Sequence, residues 1–262
     1  MNFIRLLVEQ LTRSLASAVV FYTTIPLPNS WTGEWQRLAR WIPLIGIGIG
    51  SCLGLLDWGL YQLSFPNLTR SALIITAWIA LTGGLHLDGV IDTADGLAVM
   101  DAQKRLEVMK DSVTGAFGVM AAVIVLGLKT TALSEIDHHR WLALMLAAGW
   151  GRWGQVIAIA FYPYLRETGK GAFHQENIRL PQDVLLGLVL LLGISGIWWW
   201  LAPEQWLSIL IALIGSSAIA LGTGFWLRKQ LGGHTGDTYG AVVEWSEALI
   251  LCLLTGILSS YR

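Results

Sequence analysis

Long runs of apolar residues, separated by short polar segments, dominate the chain. An α-helix needs about 20 residues to cross the hydrocarbon core of a bilayer. We therefore predict seven spanning helices, at about 41–64, 71–88, 113–134, 141–162, 182–201, 206–227 and 240–259. Residues 3–21 are also apolar but contain charged side chains, which predicts a helix that either lies amphipathically at the interface or spans the membrane.

The composition agrees with a membrane protein. Of the 262 residues, 54% are hydrophobic and 13% are charged, against about 25% charged residues in soluble domains. We predict an all-α fold, a polytopic integral membrane helical bundle in a lipid bilayer. No internal repeat or low-complexity linker divides residues 1–262, which predicts a single membrane-embedded domain. A net charge of −1 without a basic block excludes nucleic acid as a partner.

The stretch GGLHLDGVIDTADG at 83–96 follows an uncharged apolar run and carries three carboxylates. Asp88, Asp92 and Asp95 have the spacing that places them on one face of a helix. Such acids either line a solvated helix end or hold a cation. Because unpaired acids are costly beside a membrane span, we favour a metal site. Oxygen ligands with adjacent glycines suit Mg²⁺ better than zinc.

The distribution of basic residues predicts the orientation in the membrane, since cytoplasmic loops are rich in Lys and Arg. With the 83–96 stretch placed in the cytoplasm, ten basic residues lie inside and three outside. The inside set is Arg37, Arg40, Lys104, Arg105, Lys110, Arg166, Lys170, Arg179, Arg228 and Lys229, and the outside set is Arg70, Arg140 and Arg262. We therefore expect the candidate site to face the cytoplasm.

Two further acidic stretches fall on the same side in this topology. One is DSVTGAFG at 111–118, and the other begins with GGHTGDTYG at 232–240. Asp111 and Asp237 belong to these stretches, and Glu244 and Glu247 follow just inside the last span. Acids inside a membrane span are functional by default, so we predict that these four acids contribute to catalysis.

Several other residues are candidates for substrate binding, each with an alternative role. Asp111 can simply cap the helix that follows it. Gly115 and Gly118 can pack against another helix or allow a phosphate to approach backbone N–H groups. His234 and Gly236 lie in a glycine-rich loop, where the histidine contacts a phosphate or is merely solvated. Arg152, near the middle of a span, requires a buried acid or an anionic substrate as its partner.

Together, these stretches resemble the cobalamin synthase family, also called the adenosylcobinamide-GDP ribazoletransferase family. The resemblance rests on GGLHLDGxxDxxDGL at 83–97, DSxxGxFG at 111–118, and GGxTGD at 232–237 with Gly240 and Glu247. A shorter match, TxIP at 23–26, fits the N-terminal segment of the family. The matched stretches occur in the same order as in the family and cover nearly the whole chain.

The resemblance implies a Mg²⁺-dependent, multi-pass enzyme of the bacterial cytoplasmic (inner) membrane, so that the single domain is catalytic. Its expected reaction joins adenosylcobinamide-GDP, a corrinoid nucleotide, to α-ribazole or α-ribazole 5′-phosphate, in the last stage of cobalamin biosynthesis. The expected products are adenosylcobalamin or its 5′-phosphate, and GMP. The alternatives are a CDP-alcohol type phosphotransferase, whose later DGxxAR pattern is missing after Asp92, and a cation transporter. The sequence leaves open whether the chain forms a homo-oligomer.

Overall fold

The computed structural model describes residues 2–167 and 169–258, and within these ranges the chain is helical without a β-strand. Two short 3₁₀ helices, Leu38–Trp41 and Pro203–Gln205, precede α2 and α10. The eleven α-helices are α1 Asn2–Tyr22, α2 Ile42–Gln62, α3 Asn67–Thr82, α4 Leu85–Ala98, α5 Ala102–Val108, α6 Ala116–Glu135, α7 Arg140–Phe161, α8 Lys170–Asn177, α9 Gln182–Leu201, α10 Trp206–Leu231 and α11 Gly236–Leu258.

Six of these helices are long and apolar enough to cross a membrane: α2, α6, α7, α9, α10 and α11. A seventh span results if α3 and α4 are counted together. Large apolar side chains such as Val123, Val189 and Ile214 are exposed on the outside of the bundle, where lipid rather than water is the suitable solvent. The predicted polytopic helical bundle is confirmed. Among the described residues, α1 is not one of the helices that are both long and apolar enough to cross a membrane.

Helix α7 forms the centre of the bundle and is buried over almost its whole length. Helices α2 and α11 pack closely against it through glycines. A Cβ atom at Gly50 of α2 would lie 2.5 Å from Cα of Met145, and one at Gly151 of α7 would lie 3.0 Å from the carbonyl oxygen of Val243. Small residues at these positions allow the helix backbones to approach, which is the usual basis of helix association in membranes.

The predicted span at 71–88 is wrong in one important respect. The helix ends at Thr82, and the chain turns by 92° before α4 begins at Leu85. Gly83 and Gly84 make this turn with φ values of +64° and +71°, a conformation that costs glycine little. At 14 residues, α4 is about 21 Å long, too short to cross a bilayer by itself. It instead packs across the ends of α6 and α11.

The direction of each helix brings the polar connections that carry the candidate site to one end of the bundle. They lie between α3 and α4, α5 and α6, α7 and α8, and α10 and α11. At the opposite end, Asp57 of α2 forms ion pairs with Arg70 and Arg140 at 3.1 and 2.8 Å. The predicted last span extends to residue 259, which lies outside the described residues, as does Arg262.

Candidate active site

Asp88, Asp92 and Asp95 all lie on α4, as predicted, but they have different surroundings. Asp88 is exposed, whereas Asp92 and Asp95 are half-buried. The carboxylate of Asp95 accepts hydrogen bonds from the backbone N–H of Gly115 at 2.7 Å and of Gly118 at 2.8 Å. Asp95 therefore caps the beginning of α6, where its negative charge also interacts favourably with the helix dipole.

This contact explains the two glycines of the 111–118 stretch. A Cβ atom at Gly118 would lie 2.5 Å from Oδ2 of Asp95 and 2.7 Å from Cγ2 of Ile91, and one at Gly115 would also collide with the Asp95 carboxylate. The side chains that approach the backbone N–H groups of Gly115 and Gly118 thus belong to α4. Of the two roles considered for these glycines, close packing against another helix is the one seen in the structure.

Asp111 does not cap α6, which begins five residues later at Ala116. Its Oδ1 accepts a hydrogen bond from the backbone N–H of Val113 at 3.1 Å, and its side chain is exposed. The loop that carries it is held beside the site, because Arg166 donates to the carbonyl oxygen of Met109 at 3.3 Å. Asp111 therefore lies beside the site, and the side-chain hydrogen bond found for it in the described chain is within its own loop.

Asp237, in the first turn of α11, faces α4. The two helices cross so closely that a Cβ atom at Gly89 would collide with the carbonyl group of Asp237. Arg166, from the segment between α7 and α8, donates to Oδ2 of Asp237 at 2.6 Å. Thr235 donates to the same oxygen at 3.4 Å. Each donor found on this carboxylate, within the described chain, reaches Oδ2 and leaves Oδ1 for other contacts.

The pKa of Asp92 depends on its burial and on the neighbouring carboxylates. Burial, and next the charges of Asp88 and Asp237, raise the pKa of Asp92 to about 6, while Arg166 acts in the opposite direction. A cation beside these carboxylates would relieve the repulsion. No group of three His, Cys, Asp or Glu side chains in residues 2–167 and 169–258, the predicted trio of Asp88, Asp92 and Asp95 included, is arranged so that it could hold a metal ion.

Asp88, Arg166 and Asp237 line a cavity of about 230 Å³ between α1, α4, α7, α8 and α11. Two of the larger grooves differ from it in chemistry. One of about 510 Å³, between α4, α10 and α11, is lined mainly by apolar side chains such as Trp226. The other, of about 700 Å³, lies at the opposite end around Asp57. Of these three, the cavity of about 230 Å³ is the one that joins two of the three predicted acidic stretches, through Asp88 and Asp237.

His234 and Gly236, which are neighbours in the sequence, have different surroundings. His234 is fully buried, with Nδ1 3.0 Å from the hydroxyl of Thr238 and Nε2 3.2 Å from the carbonyl oxygen of Gly224. Burial lowers the pKa of His234 to about 4, so the ring is neutral at pH 7. The expectation of a solvated ring is wrong, and both ring nitrogens are directed to Thr238 and Gly224. Gly236 is exposed and lines the cavity.

Glu244 and Glu247 are buried and ion-paired within the membrane region. Lys129 of α6 donates to Glu244 at 2.6 Å and also to Glu247, which in addition accepts from Arg152 of α7. Two acids and two bases thus neutralise one another, and Lys129 also lies 4.4 Å from the ring centroid of Trp78. The partner required by Arg152 is a buried acid, and neither glutamate is exposed to a substrate.

Several residues that sequence reasoning missed take part in the site. Arg166 was considered only as a basic loop residue, although it holds Asp237. His86 follows the turn at Gly83 and Gly84, which begins α4, and it lines the cavity. The two glycines were the available signal for His86, whereas no signal in the sequence paired Arg166 with Asp237.

The fold and the site define a multi-pass helical membrane protein with carboxylates and an arginine gathered around a cavity at one end of its bundle. Residues 14–255 match the family described as cobalamin-5-phosphate synthase (CobS), which covers most of the chain. The chain belongs to this family.

Relatives of similar length support the assignment. A protein of Trichormus variabilis named adenosylcobinamide-GDP ribazoletransferase is 55% identical over 249 residues, covering 95% of this chain and 99% of the relative. Proteins with the same name from Synechocystis sp. and Brevibacillus brevis are 55% and 34% identical, over 91% of this chain and 92% and 96% of their own lengths. No solved structure matches the chain.

Proposed function

We propose that this protein is a Mg²⁺-dependent adenosylcobinamide-GDP ribazoletransferase that uses α-ribazole or its 5′-phosphate. Membership of the family and the names of the relatives support the reaction. The structural observation that carries the proposal is the meeting of α4 and α11, where Asp237, held by Arg166, approaches Asp88 and Asp92. A set of oxygen ligands beside a guanidinium is suited to a phosphate-bearing substrate.

The reaction requires one bond to form and one to break. The hydroxyl oxygen of the ribazole attacks the phosphorus that is attached to the cobinamide. The bond from this phosphorus to the bridging oxygen of the pyrophosphate breaks, and GMP leaves with that oxygen and its electron pair. The hydroxyl proton passes to a carboxylate and then to solvent. Positioning and electrostatic stabilisation supply most of the catalysis in such transfers.

The residues of the site fit a Mg²⁺ ion. Such sites in phosphotransferases use one or two carboxylates together with substrate phosphates and water, so a complete cage of protein ligands is not required. Asp88 and Asp92 lie one turn apart on α4 and would hold the ion, while Asp95 is occupied with the N–H groups of α6. When bound, Mg²⁺ neutralises charge on the pyrophosphate and aligns it for attack.

Arg166 and Asp237 have complementary roles in this scheme. Arg166 fixes the Asp237 carboxylate through Oδ2 and leaves Oδ1 to accept the proton of the attacking hydroxyl. The Nε atom of Arg166 is buried without a hydrogen-bond partner in the described chain, and a substrate phosphate is a suitable acceptor. Glu244 and Glu247, paired with Lys129 and Arg152, stabilise the bundle in this proposal rather than catalyse the reaction.

The proposal places the site in the cytoplasm, in a bacterial inner membrane. The end of the bundle that carries the site also carries the basic loops, including Arg105, whose guanidinium bonds to the end of α10 at 2.8 Å. The other end has Arg70 and Arg140 paired with Asp57. The excess of positive charge at the site end supports a cytoplasmic orientation. Water-soluble nucleotides are therefore accessible to the site.

The roles of Asp237 and Asp88 can be separated by measuring binding and turnover in detergent. Asp237→Asn is expected to lower the rate at saturation by about a hundredfold or more, the scale of general-base catalysis, with little effect on affinity for the GDP-linked substrate. Asp88→Asn is expected to weaken both, since the pyrophosphate is held through the metal. Calorimetric titration alongside GMP release tests this division. Loss of nucleotide binding in Asp237→Asn with an unchanged rate at saturation would contradict it.

A further inference from the structure

The inner wall of the cavity carries polar groups that the proposed chemistry does not use. His86, Gln155, His174 and Tyr239 line the cavity at relative exposures of 3%, 5%, 4% and 2%. Both ring nitrogens of His86, Oε1 of Gln155, Nδ1 of His174 and the hydroxyl of Tyr239 are buried without a hydrogen-bond partner among the described residues. The four residues belong to four different helices, α4, α7, α8 and α11, and line the same cavity.

This concentration of unpaired groups indicates a ligand. A buried polar group without a partner costs about 1–3 kcal/mol, and the great majority of such groups in native proteins are paired. Other buried polar groups of this protein do find partners: His234 uses both nitrogens, and Nε2 of His174 bonds to the hydroxyl of Tyr22 at 3.1 Å. Six of the sixteen buried side-chain atoms without a partner in the described chain, counting Nε of Arg166, belong to residues that line this one cavity, while the other ten are spread over the rest of the bundle.

The chemistry of the wall defines the kind of ligand. Its buried part contains neutral donors and acceptors, and burial lowers the pKa of His174 to about 4, which keeps this ring uncharged. Aromatic rings from Tyr22, Tyr164 and Tyr239 complete the wall. The charged groups, Asp88 and Arg166, lie at the more exposed part of the same cavity. The cavity thus changes from charged to neutral, polar and aromatic with depth.

We propose that the buried part of this cavity binds the nitrogen heterocycle of a nucleoside substrate, while Arg166 and the acids hold its phosphate or ribose. A planar base offers ring faces to the aromatic side chains and nitrogen or oxygen atoms to the neutral polar groups. This inference rests on the proposed function, in which both substrates carry such a base: guanine in the GDP-linked corrinoid, and the ribazole base.

The test uses Gln155→Met and Tyr239→Phe, which remove one hydrogen-bonding group each and nearly conserve side-chain volume. GMP and α-ribazole are titrated separately into the purified protein in detergent by calorimetry. We expect the dissociation constant of one probe to rise about threefold to tenfold in each variant, the value of one hydrogen bond. The probe that weakens identifies which base occupies the cavity. Dissociation constants for both probes within twofold of wild type, in both variants, would overturn the inference.

Two controls and one further readout make the result specific. Ser216→Ala removes a buried, unpartnered hydroxyl that lies outside the cavity, and Tyr162→Phe removes a hydroxyl from a ring stacked on His234. Neither control is expected to change binding. Melting temperatures of Gln155→Met and Tyr239→Phe should stay equal to wild type or rise, because each variant removes an unpaired polar group. A wild-type protein that binds the probes but transfers no ribazole would refute the proposed function and leave this inference standing.

Discussion

The buried charges in the middle of the bundle and the charges around the cavity differ in how far protein groups of opposite sign neutralise them. In the middle, Lys129, Arg152, Glu244 and Glu247 form a charge-balanced network with two charges of each sign. Around the cavity, acids outnumber the arginine that faces them, and burial together with repulsion from Asp88 and Asp237 raises the pKa of Asp92. The charges of the first set balance one another within the protein, and those of the second set do not.

This difference distinguishes charged side chains that stabilise the fold from charged side chains that are available to a ligand. A charge in the membrane region is tolerated when a partner of opposite sign is in contact with it, and breaking such a pair leaves an uncompensated charge. A charge that has no partner in the protein is costly unless a ligand pairs with it. Within the described chain, Glu247 on α11 has such partners and Asp92 on α4 does not. The two acids are therefore expected to respond differently to mutation.

The largest expected effect is a loss of stability in Glu247→Gln. This change leaves Arg152 without its carboxylate partner and removes one of the two acceptors of Lys129. We expect a loss of about 3–5 kcal/mol, the scale for breaking a buried ion pair. Chemical unfolding of the purified protein measures it.

The matched control removes both members of one pair. In Arg152→Met with Glu247→Met, Lys129 and Glu244 remain as a neutral pair, so the double variant should be more stable than Glu247→Gln. A single variant as stable as wild type would show that the network does not stabilise the fold.

The next effect in size concerns Asp92→Asn, which should act on turnover and not on stability. Loss of one charge-stabilising group lowers turnover by about a hundredfold to a thousandfold. The melting temperature should stay unchanged or rise, since at pH 7 a carboxylate with a raised pKa is mostly ionised in a place that disfavours the ion. GMP release and thermal unfolding measure the two quantities. Near-normal turnover in Asp92→Asn would contradict the metal-site assignment.

The smallest expected effect concerns Asp95→Ala, which removes the cap of α6. We expect a stability loss of about 1–2 kcal/mol and a smaller loss of turnover than in Asp92→Asn. Asp101→Ala is the matched control, because Asp101 caps the short helix α5 through the N–H of Gln103 at 3.0 Å and is exposed. If Asp95→Ala lowers turnover as strongly as Asp92→Asn and keeps its stability, Asp95 is a metal ligand, as its spacing first indicated.

The sequence predicted most of the helices because hydrophobic run length is a local property. The predicted and observed bounds of α9 coincide at 182–201, and those of α7 differ by one residue at each end. The right-angled turn at Gly83 and Gly84 was missed for a physical reason. The apolar run continues up to these glycines, and hydropathy does not report the backbone angle at which the chain leaves a span.

The composition of the candidate site was predictable only in part, since Asp88, Gly236 and Asp237 line the cavity while Glu244 and Glu247 do not, and its pairing was not predictable. Carboxylate spacing on α4 correctly indicated one helical face, yet Asp95 bonds to α6 and Asp237 to Arg166. These contacts join residues 20 and 71 positions apart along the chain. Spacing also cannot distinguish a catalytic glutamate from Glu247, whose role depends on Lys129 of another helix.

One measurement compares the two regions directly: the melting temperature of the purified protein with and without Mg²⁺ and GMP, for wild type, Asp92→Asn and Glu247→Gln. Ligands that bind the folded state raise its melting temperature. The account predicts that Glu247→Gln melts earlier than wild type but keeps the ligand-induced increase, whereas Asp92→Asn keeps the wild-type melting temperature and loses the increase. The reverse result, an early-melting Asp92→Asn that still responds to ligand and a stable Glu247→Gln that does not, would contradict the account.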